Sequence, residues 1–233
     1  MFEIAEAPTA ETAAATVYAE LRQAILALVL PPGAPLRIQH LSDRFAVGPT
    51  PVREALWRLS GEGLVSMEPQ RGFRVSRLTR EDLQSLALLC NATEPAAFRQ
   101  AIRHCGAAWI ATVRTSFAAF APLQSKVGDR RAIDTAWERH HRLFHMALLA
   151  GCALPGLLST VAGWYDRLDR YRRLALPSLA YNADTADDHA ALLALIEHGA
   201  EDAAVDLLTR HLSDTQRQLL GYFDSAEPTA ADG

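Results

Sequence analysis

The chain has 233 residues, 49% hydrophobic and 21% charged, with 23 Lys+Arg against 27 Asp+Glu and a net charge of -4. At roughly 150 residues per domain this is one large or two modest domains, outside the low-hydrophobicity, high-charge range in which a chain cannot bury a core. The longest apolar runs, Ala24 to Leu30 and Ala190 to Ile196, are seven residues each, where a membrane span needs about 20. No membrane partner is expected. Met1 to Glu6 carries two glutamates and no basic residue, the reverse of a secretory signal, so the expected location is cytoplasmic.

In chain order, Val17, Leu21, Ile25, Leu28 and Val29 mark an amphipathic helix over 13–30 that Pro31-Pro32-Gly33 ends. Ile38, Leu41, Phe45 and Val47 mark a short second helix, broken at Gly48-Pro49. A third helix is expected to begin at Thr50, a good N-cap residue followed by Pro51, with Val52, Leu56 and Leu59 on its apolar side and Arg53 and Trp57 sharing another face. Leu64 to Met67 and Phe73 to Val75 are strand candidates joined by the turn-rich Glu68-Pro69-Gln70-Arg71-Gly72, a small hairpin with a basic tip. From Thr79 onward the patterns are helical, at about 81–104, 107–127, 129–150, 155–175, 185–198 and 201–224. Punctuation falls at Gly106, Gly128, Gly151, Pro155, Pro177 and Gly199. The ends, 1–12 and 225–233, read as frayed. Cys90, Cys105 and Cys152, separated by 15 and 47 residues, fit neither a disulfide framework nor a metal knuckle and read as small buried hydrophobes.

Charge is unevenly placed. Residues 37–80 hold eight arginines against Asp43, Glu54, Glu62 and Glu68, a local +4 inside an acidic chain, as expected of a module that faces a polyanion. Helix, short helix, tight turn, helix and hairpin, in that order, describe a winged helix-turn-helix. Thr50 and Arg53 stand where a recognition helix meets base edges and phosphates, and Arg71-Gly72 at the hairpin tip, where a guanidinium can reach phosphate.

The segments Leu36-Arg37-Ile38-Gln39-His40-Leu41, Thr50-Pro51-Val52-Arg53-Glu54-Ala55-Leu56, Gly63-Leu64-Val65 and Arg71-Gly72 resemble the DNA-binding domain of the GntR family of bacterial regulators, over about residues 15–77. The resemblance implies a homodimer on double-stranded operator DNA, with Arg37, Gln39, Thr50, Pro51, Arg53, Arg71 and Gly72 on the DNA-binding face. The family usually has Ser-Arg or Thr-Arg where this chain has Gly48-Pro49, and often a basic residue where Gln39 stands. Losing two phosphate contacts flattens the salt dependence of binding by about 0.9 each.

His141 and His145 are four apart in a helical stretch, so both imidazoles project from one face. Spacing alone leaves open ordinary core histidines or a cation site completed by His189 and His211 from other helices. Phe144-His145, Asp188-His189 with Leu195-Ile196, and Arg210-His211-Leu212 resemble marker positions of the FCD effector domain of the FadR-type branch of the same family. In metal-binding members of that branch, three histidines and an aspartate hold a divalent ion at the floor of a cavity that accepts a small organic acid. The resemblance therefore implies His145, His189 and His211 as ligands, with His141 in place of the aspartate. Four neutral ligands favour zinc or nickel over magnesium or manganese. The branch commonly presents an arginine about where Cys90 stands; Arg167 and Tyr171, one turn apart, are the candidates to contact an effector instead.

The expected fold class is thus mainly α: a winged helix-turn-helix with a small β-hairpin at 13–77, then an all-α FCD-like helical bundle at 80–224. The expected function is transcriptional regulation, as a repressor whose operator affinity is set by a small-molecule effector, an organic acid bound near the metal. The alternative is a regulator for which the ion itself is the signal. A metal-dependent enzyme is the remote reading, because a zinc site that activates water also needs a general base and no H-E-x-x-H motif is present.

Overall fold

The computed structural model describes residues 10–104, 106–124, 135–175 and 183–225. Cys105, Gly128, Pro177 and most of both ends, about which the sequence carried expectations, lie outside the described residues. The chain divides into two compact units, Met1–Leu78 and Thr79–Gly233.

The first unit holds α1 (Ala10–Leu26), β1 (Pro35–Leu36), α2 (Ile38–Phe45), α3 (Pro49–Gly61), β2 (Val65–Glu68) and β3 (Gly72–Val75). The three strands form an antiparallel sheet in the order β1-β3-β2. Its core joins Val17, Leu21 and Ile25 of α1 to Val52, Leu56 and Leu59 of α3 and to Leu64, Phe73 and Val75. Each such side chain taken wholly out of water contributes on the order of 1.5–3 kcal/mol. Three local features differ from the sequence expectation. First, α1 stops at Leu26, ahead of the prolines, because Leu28 turns left-handed (φ 58°) and the Leu30 amide closes back on the Ala24 carbonyl. Second, the N-cap of α3 lies two residues earlier than expected, at Gly48 in place of Thr50, with Pro49 the first helical residue, since proline needs no N–H partner there. Thr50 therefore lies within the first turn. Third, Pro35–Leu36 pair with Phe73 and Arg74 as a two-residue strand, too short to leave a periodic signal.

Gln70 (φ 63°) and Gly72 (φ 78°) bend the β2–β3 link, and Arg74 ties the hairpin down by donating to the Gly33 carbonyl at 2.9 Å and pairing with Glu68 at 3.2 Å. Across the unit, Tyr18 donates to Glu62 at 2.5 Å, Arg22 pairs with the same carboxylate at 3.2 Å, and the Arg58 guanidinium lies 4.1 Å over the Tyr18 ring.

The second unit contains, among the described residues, α4 (Arg80–His104), α5 (Ala107–Gln124), α6 (Thr135–Ala150), α7 (Pro155–Ala175), α8 (Ala183–Glu197) and α9 (Glu201–Ser225). The expected start of α6 at 129 and the expected end of α5 at 127 fall outside the described residues. These helices pack as a bundle in which α4 lies along α9, α5 along α6, and α8 against both α5 and α9. No helix among the described residues is long and apolar enough to cross a membrane. Cys90 and Cys152 are buried free thiols.

Candidate functional site

In the second unit, the periodicity that buries Trp137, Phe144 and Leu148 of α6 also turns His141 and His145 inward. His189 of α8 and His211 of α9 meet them, all four buried, with one ligating atom from each lying within 4.8 Å of the others. Aromatic rings frame the cluster: Trp137 stacks on His141 (centroids 4.8 Å apart, planes 9° apart), and Phe120 of α5 stands edge-on to His141 and His189 at 5.5 and 5.2 Å. Within it, His145 Nε2 and His189 Nε2 approach to 3.3 Å, and the rings of His145 and His211 stack at 5.3 Å.

Burial, followed by the neighbouring imidazoles and, for His141 and His145, the Arg172 guanidinium, holds His141, His145 and His189 well below the ordinary imidazole range. They are neutral at pH 7, the state in which an imidazole nitrogen can ligate a cation. His141 Nδ1 is buried with no hydrogen-bond partner, a cost in a finished protein interior unless something supplies one. His211 Nδ1 faces Asp188 Oδ2 at 3.3 Å, a contact that leaves Nε2 for the cluster. Hydrogen bonding from His211, more than its partial burial, keeps Asp188 below the ordinary carboxylate range. Four converging imidazole nitrogens fit a borderline divalent ion such as zinc.

The cluster opens into a cavity lined by His141, His145 and His211 together with Glu94, Arg142, Tyr165, Leu168, Arg172, Leu212, Thr215, Gln216 and Leu219. Both lining guanidiniums are already paired: Arg142 with Asp166 and Asp169, Arg172 with Glu138 and Asp169. Burial lowers the proton affinity of Arg172, but Asp169 and Glu138 more than offset it, so the guanidinium stays charged. Burial raises the Glu138 carboxyl to about 7, against the pull of Arg172. Glu94, only 1% exposed, accepts from the Tyr165 hydroxyl through Oε2, while its Oε1 has no partner.

The sequence pattern did not single out Glu94, Arg142, Tyr165 or Arg172. Glu94 and Cys90 lie one helical turn apart on the buried face of α4, so an acid within an apolar face was the available signal. Arg167 and Tyr171, expected at the effector, are not among the residues lining the cavity. Both are engaged by Asp82 at the start of α4, with Tyr171 donating to Asp82 Oδ2 at 2.8 Å and its hydroxyl also contacting the Thr79 backbone.

In the first unit, Arg37, Gln39, Thr50, Arg53, Arg71 and Gly72 are exposed and Pro51 half-buried. Thr50 and Arg53 sit in the first turns of α3, and Arg71-Gly72 at the hairpin tip. Gln39 is turned along α2 toward Asp43, at 3.0 Å. Trp57, 54% exposed on α3, meets Phe73 of the hairpin edge-on at 5.4 Å.

Residues 13–75 match the family described as bacterial regulatory proteins, gntR family, and residues 77–214 match the FCD domain. The chain belongs to the GntR family. This GntR-family regulator of transcription is 31% identical to the HTH-type transcriptional regulator BphR of Paraburkholderia xenovorans LB400, over 85% of this chain and 81% of that one. It is 30% identical to the HTH-type transcriptional repressor GlaR of Escherichia coli K12, over 78% and 84%. In fold it is similar to McbR/YncC of E. coli, with a TM-score of 0.73 at 21% identity over 91% of this chain and 98% of that one. It is also similar to a putative GntR regulator of Rhodococcus sp. RHA1, with a TM-score of 0.74 at 22% identity over 90% and 98%.

Proposed function

We propose that this GntR-family regulator is a repressor whose hold on operator DNA is set by occupancy of the cavity in its second unit. His141, His145, His189 and His211 hold a divalent ion, zinc or nickel, and a small organic acid binds beside it. The observation that carries this reading is the convergence of four buried imidazoles, three of which line one cavity. Repression follows the names of GlaR and of a probable D-xylose utilization operon repressor of Paenarthrobacter nicotinovorans, 27% identical over 79% of this chain.

The chain acts as a homodimer in the cytoplasm, each first unit reading one operator half-site. Thr50, Pro51 and Arg53 address the major groove, Arg71-Gly72 the flanking backbone, and Arg37 and Gln39 the phosphates beside α2. The ion supplies Lewis-acid attraction for a carboxylate. The protein supplies four imidazoles, an aromatic surround that excludes water, and Asp188 to orient His211. For a switch, the acid must favour one state of the dimer over the other by roughly 1–3 kcal/mol.

The test is fluorescence anisotropy on the DNA upstream of the protein's own gene, with metal added or chelated. Arg53→Ala is expected to weaken binding by about 1–3 kcal/mol. Operator affinity that tracks metal with no acid present assigns the ion as the signal. Indifference of the wild type to that DNA at low ionic strength, loaded or stripped, overturns the reading.

A further inference from the structure

The polar groups on the cavity wall are unequally satisfied. Each lining guanidinium is already held by two carboxylates, and Gln216 Oε1 accepts from Asn91 at 2.7 Å. Glu94 differs. It is buried, it lines the cavity, and no cation stands in hydrogen-bonding contact with it among the described residues; its partners are the Tyr165 hydroxyl on Oε2 and the Cys90 thiol beside it. Its Oε1 is an acceptor without a donor. The ring of Tyr165, from whose hydroxyl Glu94 accepts, stands edge-on to His145 at 6.3 Å, and both Glu94 and His145 line the cavity.

From this imbalance we infer that the effector carries a hydrogen-bond donor, a hydroxyl or an ammonium group, which Glu94 Oε1 receives while the effector's acid group lies at the imidazole cluster. The inference rests on the organic-acid reading above and narrows it. A plain acid leaves that buried acceptor unfilled, a penalty on the order of 1–3 kcal/mol that a donor-bearing acid relieves. A second carboxylate fares worse, because it meets another carboxyl and finds no uncommitted guanidinium. A donor-bearing acid satisfies both ends of the cavity, and sites built to hydrogen-bond a ligand discriminate strongly against analogues that lack the group.

The experiment is calorimetric titration at pH 8, above the value of about 7 to which burial raises Glu94, so that its carboxylate is ionised; the metal-loaded, full-length protein is titrated with straight-chain acids of matched length that end in methyl, hydroxyl, ammonium or carboxylate. Wild type, Glu94→Gln and Glu94→Leu are compared, with folding followed by circular dichroism and operator binding. Wild type is expected to bind a hydroxyl- or ammonium-ended acid at least about 10-fold more tightly than the methyl-ended one. Glu94→Leu should erase that difference. Glu94→Gln separates the two donors: the amide oxygen still accepts from a hydroxyl, whereas an ammonium loses its counter-charge and with it about 10-fold or more in affinity. If Glu94→Leu does not fold, the wild-type ranking decides. Preference for the methyl- or carboxylate-ended acid, or a ranking unchanged in a folded Glu94→Leu, overturns the role of Glu94 and leaves the organic-acid reading standing. Failure of every acid to bind the metal-loaded wild type overturns both.

Discussion

His211 Nδ1 lies 3.3 Å from Asp188 Oδ2, across the packed helices α8 and α9, and Arg210 braces the same carboxylate through Oδ1 at 3.1 Å. Asp188 precedes His189, so one short segment supplies both a member of the imidazole cluster and the group that orients another. Asp188→Asn keeps the shape and removes the charge. Metal affinity, measured by competition with a chromophoric chelator, is expected to fall about 10–100-fold with the circular dichroism spectrum unchanged. An unchanged affinity means that Asp188 serves only to pair with Arg210.

Phe120 is wholly buried and contacts Trp137, His141, Phe144 and His189. Phe120→Ala is expected to cost about 3–5 kcal/mol of stability in denaturant unfolding and to loosen metal binding, because two imidazoles lose the ring that fixes them. Destabilisation at full metal affinity would show that the cluster is positioned by α6, α8 and α9 alone.

Trp57 is exposed yet packs edge-on against Phe73, bracing the hairpin against α3. Trp57→Ala should remove an aromatic pair worth about 0.5–1.5 kcal/mol and weaken operator binding, with the loss larger at the DNA contacts proposed for Arg71 than at those proposed for Arg53. Footprinting of the variant reads this directly: protection at the hairpin's position should fade first.

Acid stability divides between two opposing sets of groups. Burial raises Glu94 to about 7, above its unfolded value, so its contribution is fully present below about pH 4.5 and is lost as pH rises through 7. His141, His145 and His189 are lowered, so theirs is present above about pH 6.5 and lost on acidification. Glu94→Gln removes the first and leaves the second. Metal-free Glu94→Gln is therefore expected to lose stability more steeply than wild type between about pH 6.5 and 4.5, by up to about 1.4 kcal/mol per pH unit, in denaturant titrations across that range. Parallel curves for the two proteins would show that Glu94 stays ionised in the folded chain.

Most helices were legible because each has an apolar stripe at helical spacing and a Gly or Pro at its end; α7, expected at 155–175, spans Pro155–Ala175. The misjudged ends have local causes. At α1 the carbonyls are satisfied by a left-handed turn at Leu28 before Pro31 is reached, and at α3 Pro49 enters the helix instead of breaking it. Strand β1 exists only because β3 offers it partners.

By itself, the order of residues determined that His141 and His145 share a helical face and that Thr50, Arg53 and Arg71 fall on elements of a winged helix, since these are matters of period and local turn chemistry. Tertiary packing alone decided that α8 and α9 bring His189 and His211 to the same point, that Asp82 engages Arg167 and Tyr171, and that Glu94 is left with an unfilled acceptor on a cavity wall. Those outcomes depend on which distant groups satisfy one another once water is excluded, and a periodic pattern along one chain carries no record of that pairing.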